Sequence, residues 1–260
     1  MDQRLQFALE IARQAGKILR DGFGQSSQID LKGTVDLVTE FDLASERLIR
    51  SAIETAFPED AILAEEEGSQ GDGEYRWLID PLDGTTNFAH RLPVFSVSIA
   101  YARRDQALLG VVYDPMRDEM FHALDGQGAY LNGHRIAVSQ TEGLINSLVV
   151  TGFPYDKHTN PESNLDNFAA ATLSTRGIRR LGSAALDLCY VAAGRFDAYW
   201  ELRLWPWDWG AGILLVREAG GLVTDIRGGE AIFGERASLL ATNGRLHQDM
   251  LALLNTDKAN

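Results

Sequence analysis

Leu5, Leu9, Ala12, Ala15, Ile18 and Leu19 recur at intervals of three and four along an otherwise charged segment. That spacing predicts an amphipathic helix of about five turns, stopped by Gly22 and Gly24. The same period returns from Glu40 to Phe57, which places Phe41, Ala44, Leu48, Ala52 and Ile53 inward, with Thr39 as N-cap and Pro58 just beyond the end. From about residue 77 to 151 the pattern changes. WLID, VFSVSIAY, ALLGVVYD, EMFHAL and SLVVTGF read as β-rich runs separated by Gly, Asp, Asn and Pro, and Asn132-Gly133 marks a tight hairpin. Helical periodicity resumes near 163–173, 183–194 and 208–220, the last halted by Gly220-Gly221, with short strands expected near 196–200, 222–226 and 238–242. Helices first, then an antiparallel-looking sheet, then alternation of the two predict a layered α/β or α+β architecture. With no internal repeat and no Pro/Gly/Ser linker, residues 1–260 read as one unit whose halves, 1–145 and 146–260, meet near the end of the strand-rich stretch.

Composition narrows the functional classes. The 24 basic and 37 acidic residues give a net charge of −13, which argues against direct contact with nucleic acid or an anionic membrane. One cysteine, Cys189, allows no internal disulfide and fits a reducing compartment. Residues 1–20 interleave charges with apolar positions, unlike a signal peptide, and no apolar stretch approaches the roughly 18 residues of a membrane span, so a cytoplasmic protein is expected.

The richest chemistry lies in WLIDPLDGTTNFAH, residues 77–90. A β-run ends in Asp80, Pro81 fixes the backbone, and Asp83 follows three positions on, so two carboxylates and the Leu82 carbonyl can converge on one point. Oxygen-only donors of this kind suit Mg²⁺ or Mn²⁺ rather than Zn²⁺. Gly84, Thr85 and Thr86 offer hydroxyls and backbone N–H groups to an anion, above all if a helix starts there. The same residues also make an ordinary Asp-rich turn. Glu65, Glu66 and Glu67 read either as further ligands or as a solvated acidic loop, and Asp208 either as a ligand or as an N-cap. An aspartyl-nucleophile phosphatase of the haloacid dehalogenase type does not fit, because its aspartates are more closely spaced and it needs a downstream lysine.

Residues 77–90 resemble the first signature of the inositol monophosphatase family, and WDWGAGILLVREAGG, residues 207–221, resembles the second. GTVDLVTEFD (33–42), AEEEG (64–68) and RRLGSAALDLCYVAAGRFDAYWE (179–201) fall in the family's order at matching separations, so the resemblance spans nearly the whole chain. It implies a layered αβαβα sandwich of the inositol monophosphatase and fructose-1,6-bisphosphatase type, a homodimer, inhibition by lithium, and Mg²⁺-dependent hydrolysis of myo-inositol monophosphate. By the same resemblance, Glu65, Asp80 and the Leu82 carbonyl hold a first ion. Asp80, Asp83 and Asp208 hold a second, and a third sits near Glu65. Thr85 and Glu65 orient or deprotonate the attacking water, with Asp83 among the catalytic acids, while Gly84, Thr85 and Thr86 cradle the phosphate. Glu201 reads the substrate's hydroxyls, lined by Gly182, Ser183 and Ala184 and joined by Asp208. Asp42 stands one layer behind the ions, and it also falls at a capping position after Thr39. Lys32 lies in a loop that in relatives is mobile near the ions, and the segment Gly33 to Val35 is one residue shorter than in the animal proteins. Gly210 departs from the family's usual Ala or Cys, which would loosen the helix start.

The metal pattern reads only the phosphate, so histidinol phosphate, fructose 1,6-bisphosphate and a 3′-phosphonucleotide remain rival substrates, although Glu201 and the Thr86-Asn87 pair favour inositol. An interaction protein with secondary phosphatase activity is the rival of a different class. The five histidines, at 90, 122, 134, 158 and 247, lack ligand spacing and read as structural or surface. Cys189 reads as a small buried hydrophobe, and Trp200, Trp205, Trp207 and Trp209 as core packing with a part that could face a dimer partner.

Overall fold

The computed structural model describes residues 2–25, 29–31, 37–154, 156, 158–160, 162–230, 233 and 236–255. Lys32, Gly33 to Val35 and Asp36 lie outside the described residues. Helix α1 (Asp2–Gly22) leads to the hairpin of β1 (Ile29–Leu31) and β2 (Leu37–Thr39), followed by α2 (Glu40–Ala56). Then come β3 (Ala61–Ala64), β4 (Gly68–Gln70), β5 (Tyr75–Asp83), the short α3 (Thr85–Ala89), β6 (Ser96–Arg103), β7 (Gln106–Asp114), β8 (Glu119–Leu124), β9 (Gly128–Leu131) and β10 (His134–Arg135). A 3₁₀ turn, Leu144–Asn146, precedes β11 (Leu148–Thr151), α4 (Leu165–Ser174), β12 (Gly177–Arg179), α5 (Ala184–Ala192), β13 (Ala198–Leu204), α6 (Pro206–Glu218), β14 (Leu222–Asp225), β15 (Ala237–Thr242) and α7 (His247–Leu254).

Strand alternation fixes the layers. The eight-stranded sheet runs β10-β9-β8-β7-β6-β5-β3-β4. Along β5 and β6, Trp77, Ile79, Ile99 and Tyr101 point to one face and join a core with Ala8, Ala12, Ala15 and Leu19 of α1 and Ile49 and Ile53 of α2. Leu78, Ala100 and Val112 point to the other face and pack on α5 and α6. The five-stranded sheet, β12-β11-β13-β15-β14, repeats the logic. Val150, Tyr199, Leu239 and Ala241 meet α5 and α6, while Val149, Ala198, Trp200 and Leu240 meet α4 and α7 through Ala171, Leu246 and Met250. The stack is therefore helix pair, sheet, helix pair, sheet, helix pair: the expected αβαβα sandwich. Among the described residues no helix is long and apolar enough to cross a membrane.

Four local differences from the sequence reading matter. The strand-rich region is antiparallel except that β3 runs parallel to β5, with Ala64 opposite Ile79. Helix α2 buries Asp42, Ser45, Glu46, Ile49, Arg50 and Ile53, whereas Ala44 is exposed and Phe41, Leu48 and Ala52 are only partly covered. Helix α6 begins at Pro206, so Asp208 occupies its third position rather than its N-cap. Helix α7 has no counterpart in the periodicity reading. The Asn132-Gly133 turn does join β9 to β10, with φ of 48° and 78° at its two residues. Gly210 is buried where α6 crosses the sheet, and a Cβ there would come within 2.8 Å of Leu78 Cδ1. The far end of a flexible side chain is all that an alanine would displace.

Candidate active site

The parallel register of β3 and β5 brings their carboxyl ends together. The Glu65 N–H donates to the Ile79 carbonyl at 3.2 Å, so Glu65 follows β3 beside Asp80 of β5. Ligand sites gather beyond the carboxyl ends of parallel strands for this reason. Pro81 has no N–H to give, and pairing with β6 slips between Asp80 and Asp83. The slip turns the backbone so that Leu82 N–H donates to Asp80 Oδ1 at 3.1 Å. Gly84 then reverses the chain with φ of 102°, and a Cβ there would stand 3.0 Å from the Val94 carbonyl and 3.2 Å from that of Gly182. Only glycine fits this start of α3.

Glu65, Asp80, Leu82, Asp83, Gly84, Thr85, Glu201 and Asp208 all line one cavity of about 380 Å³. Desolvation, then repulsion by Glu65, Asp83 and Asp208, pushes the Asp80 carboxyl well above the usual range. Asp208 is driven the same way by desolvation and by Glu65, against the Trp205 N–H that donates to it at 2.7 Å. Asp83 is also raised by desolvation, but less freely, because it is well held. Its carboxylate accepts the N–H groups of Ala184 and Ala185 at 3.1 and 2.8 Å and the hydroxyls of Ser183 and Ser96. An anion on the first turn of α5 is favoured by the exposed N–H groups there.

Ser183 and Ala184 thus stand behind Asp83 rather than on the cavity wall, and Gly182, also off that wall, sets its carbonyl against Gly84 and the Asn87 amide. Thr86 is exposed and does not line the cavity. The Asn87 amide donates to the backbone carbonyls of Val94 and Leu181 at 2.7 and 2.8 Å, tying α3 to the loop before α5. Thr85 Oγ1 lies 3.0 Å from both Asp42 Oδ1 and the Leu82 carbonyl, and Asp42 Oδ2 accepts the Thr39 N–H at 2.9 Å. Asp42 therefore caps α2 and holds Thr85 at once. On the other side, Glu201 Oε2 accepts the Tyr199 hydroxyl at 2.9 Å. Desolvation raises the Glu201 carboxyl to about 7 against that bond and against Arg180.

The periodicity reading missed several functional neighbours. Ser45 donates to the Pro81 carbonyl at 2.9 Å, and the Glu46 carboxylate accepts the N–H groups of Glu66 and Glu67 at 2.8 and 2.7 Å. Arg50 donates to the Gly68 carbonyl at 3.0 Å and reaches Gln70 at 2.7 Å. Asp187, 1% exposed, has Oδ1 without a hydrogen-bond partner. Desolvation, Glu201 and Asp83 all push its pKa well up. The signal for the α2 residues was their i, i+3, i+4, i+8 spacing, which also describes a solvated face.

Four carboxylates lining one cavity offer oxygen donors of the kind that hard divalent cations take. Among the described residues no trio of acidic, His or Cys side chains closes into a ready cage. Open sites of this sort suit a cation that retains waters and shares its remaining positions with substrate phosphate. The profile of the inositol monophosphatase family matches residues 1–258. The chain belongs to the inositol monophosphatase family. It is 47% identical over 251 residues to the inositol-1-monophosphatase of Synechocystis sp., covering 95% of this chain and 86% of that one. It is 44% identical to the Nus factor SuhB of Pseudomonas aeruginosa, covering 98% and 96%. Its fold matches the solved inositol monophosphatase of Anabaena (Nostoc) sp. PCC 7120 with a TM-score of 0.90 and 42% identity, covering 98% and 96%. As a member of the inositol monophosphatase family, the protein is a phosphomonoester hydrolase acting on small molecules.

Proposed function

We propose that the protein hydrolyses myo-inositol monophosphate to myo-inositol and phosphate with two to three Mg²⁺ ions, Mn²⁺ being an alternative. The observation that carries this reading is one cavity bearing Glu65, Asp80, Asp83 and Asp208 together with Thr85 and Glu201. Glu65, Asp80, Asp83, Asp208 and the Leu82 carbonyl would hold the cations. Bound there, such ions neutralise the phosphate and lower the pKa of water. Thr85, fixed by Asp42, orients the attacking water through its hydroxyl, and Glu65 takes its proton. The N–H groups at Gly84, Thr85 and Thr86 open α3 and bind phosphate oxygens. Glu201, with one oxygen occupied by Tyr199, offers the other to the substrate's hydroxyls. Ser183 and Ala184 contribute by fixing Asp83, and Gly182 by setting its carbonyl against Gly84 at the start of α3. The same reading makes the protein a lithium-sensitive cytoplasmic homodimer.

Phosphate release from inositol 1-phosphate, histidinol phosphate, fructose 1,6-bisphosphate and a 3′-phosphonucleotide, with and without Mg²⁺, tests this. A preference for inositol phosphate that disappears without metal and in Asp83→Asn is expected. A preference for another ester keeps the chemistry and changes the substrate. A second reading, a protein with a macromolecular partner, is supported by the Pseudomonas relative's name of Nus factor. A partner retained by folded Asp83→Asn, with no turnover of any ester by the wild type, would favour it.

A further inference from the structure

Of the four carboxylates at the cavity, Asp208 is the one carried by a helix, and the start of that helix is weakly held from within. Helix α6 opens Pro206-Trp207-Asp208-Trp209-Gly210-Ala211-Gly212, with two glycines among its first seven residues. Asp208 also stands against the like charges of Glu65 and Asp83. A carboxylate kept beside others of its own sign needs a stiff mount. The Trp205 N–H donates to Asp208 Oδ2 at 2.7 Å, so the carboxylate follows Trp205. On its other side Trp209 is fully buried, and among the described residues its Nε1 has no hydrogen-bond partner. Packing alone orients that indole.

Both indoles are gripped by residues of one connection, that between β14 and β15. Phe233 stacks on Trp209 with ring centroids 4.4 Å apart and planes 12° apart, and its Cε1 stands 3.4 Å from where a Cβ on Gly210 would lie. Arg236 sets its guanidinium 4.3 Å from the centre of the Trp205 ring, and Trp205 in turn stacks on Trp207 at 5.2 Å and 15°. The connection is tied down at both ends. Asp225 Oδ1 accepts the N–H groups of Arg227 and Gly229 at 2.7 and 2.8 Å, and Ser238 Oγ accepts the Arg203 N–H at 3.2 Å. Arg203 lies where pairing between β13 and β15 slips, with φ of 60°, a left-handed conformation uncommon for a residue with a side chain. A bulge of this kind re-aims the chain that leads into α6.

We propose that Phe233 and Arg236 are positioning residues for Asp208: by gripping the indoles before and after it, they hold its carboxylate at the acid cluster and set the affinity for the cation it would share with Asp80 and Asp83. The inference rests on the metal-dependent reading of that cluster. Neither residue touches the cation or the phosphate. Phe233 acts through Trp209 by ring stacking, and Arg236 through Trp205 by cation–π attraction. Groups that orient a metal-ligating side chain govern affinity because the ligand must already stand in place when the cation arrives.

The test titrates Mg²⁺ calorimetrically into metal-free wild type, Phe233→Leu, Phe233→Tyr, Arg236→Met and Arg236→Lys, each also in an Asp208→Asn background. Thermal midpoints in EDTA report packing separately. Losing a group that orients a metal ligand typically costs roughly 10- to 100-fold in affinity, and a contact one residue further away belongs at the lower end. The Kd for Mg²⁺ is therefore expected to rise about tenfold in Phe233→Leu and by less in Arg236→Met. Phe233→Tyr keeps the ring and Arg236→Lys keeps the cation, so both should stay near wild type. In the Asp208→Asn background the same substitutions should leave Kd unmoved, because the group they act through is gone. A lower midpoint with unchanged Kd in Phe233→Leu shows packing alone and overturns the proposal. Equal losses with and without Asp208 also overturn it, since the effect would not pass through that residue. Should Phe233→Leu fail to fold, the exposed Arg236 supplies the same comparison. A wild type that takes up no Mg²⁺ brings down the metal reading itself, and the proposal with it.

Discussion

Asp83 and Asp187 are buried carboxyls near the start of α5, and the fold treats them in opposite ways. Asp83 is given four donors. Asp187 has one oxygen with none, and its pKa is pushed well up. Burying a charge costs less where donors replace water, so burial opposes ionisation less at Asp83 than at Asp187. His247 follows the second pattern. It is 1% exposed, its ring nitrogens lie 3.0 Å from the hydroxyls of Thr224 and Thr242, and desolvation lowers its pKa below the ordinary 6.5. Below about 6.5 the unfolded chain then binds a proton that the folded chain resists. Stability from this residue is complete above that pH and falls as pH drops toward the folded-state pKa. His122 is lowered in the same direction by desolvation. Thermal midpoints measured from pH 7.5 to 5 are expected to fall less steeply in His247→Gln than in wild type. Parallel curves would mean that His247 does not carry the effect.

At the scale of elements, much of the fold was legible because apolar period and turn residues agree. The boundaries of α1 and α2, the Asn132-Gly133 hairpin and the turn after Asp80 could all be placed from the sequence. The inward face of α2 could be placed only in part. Ile53 is buried as the periodicity reads it and Phe41, Leu48 and Ala52 pack partly against the core, but Ala44 is exposed and the buried stripe also carries Asp42, Ser45, Glu46 and Arg50. Each of these answers a backbone group or hydroxyl in a loop distant in sequence, and a polar stripe with such partners looks the same in sequence as one facing water. The left-handed turn at Arg203 was hidden for another reason, since no local residue signals the slip in β13. α2 thereby clamps two turns at the cavity, holding Thr85 through Asp42 and the Glu65 turn through Glu46. Glu46→Gln would set an amide NH₂ against one of two backbone donors. A loss of about 1–3 kcal/mol in unfolding free energy is expected, together with a higher Mg²⁺ concentration for half-maximal activity in a protein whose circular dichroism is unchanged. An unaltered Mg²⁺ requirement would reduce Glu46 to a structural role.

At the scale of the whole molecule, function and stability pull against each other. The chain carries a net charge of −13, and it concentrates Glu65, Asp80, Asp83 and Asp208 around one cavity between two cores. Desolvation and mutual repulsion raise both Asp80 and Asp208, which means the folded state without cations works against its own electrostatics. A ligand that binds only the folded chain stabilises it by mass action, by about 2.7 kcal/mol at a concentration one hundred times its Kd. For a protein near this size that corresponds to a rise in Tm of roughly 5–10 °C on saturation with Mg²⁺. Asp208→Asn should behave in the reverse sense. Removing one of the repelling charges is expected to raise Tm in EDTA by a few degrees while shrinking the Mg²⁺-induced rise, and Thr85 and Glu201 remain in place to keep the cavity folded. The outcome that would sink this account is a variant less stable than wild type in EDTA yet equally stabilised by Mg²⁺, because Asp208 would then be serving only as a cap for the Trp205 N–H.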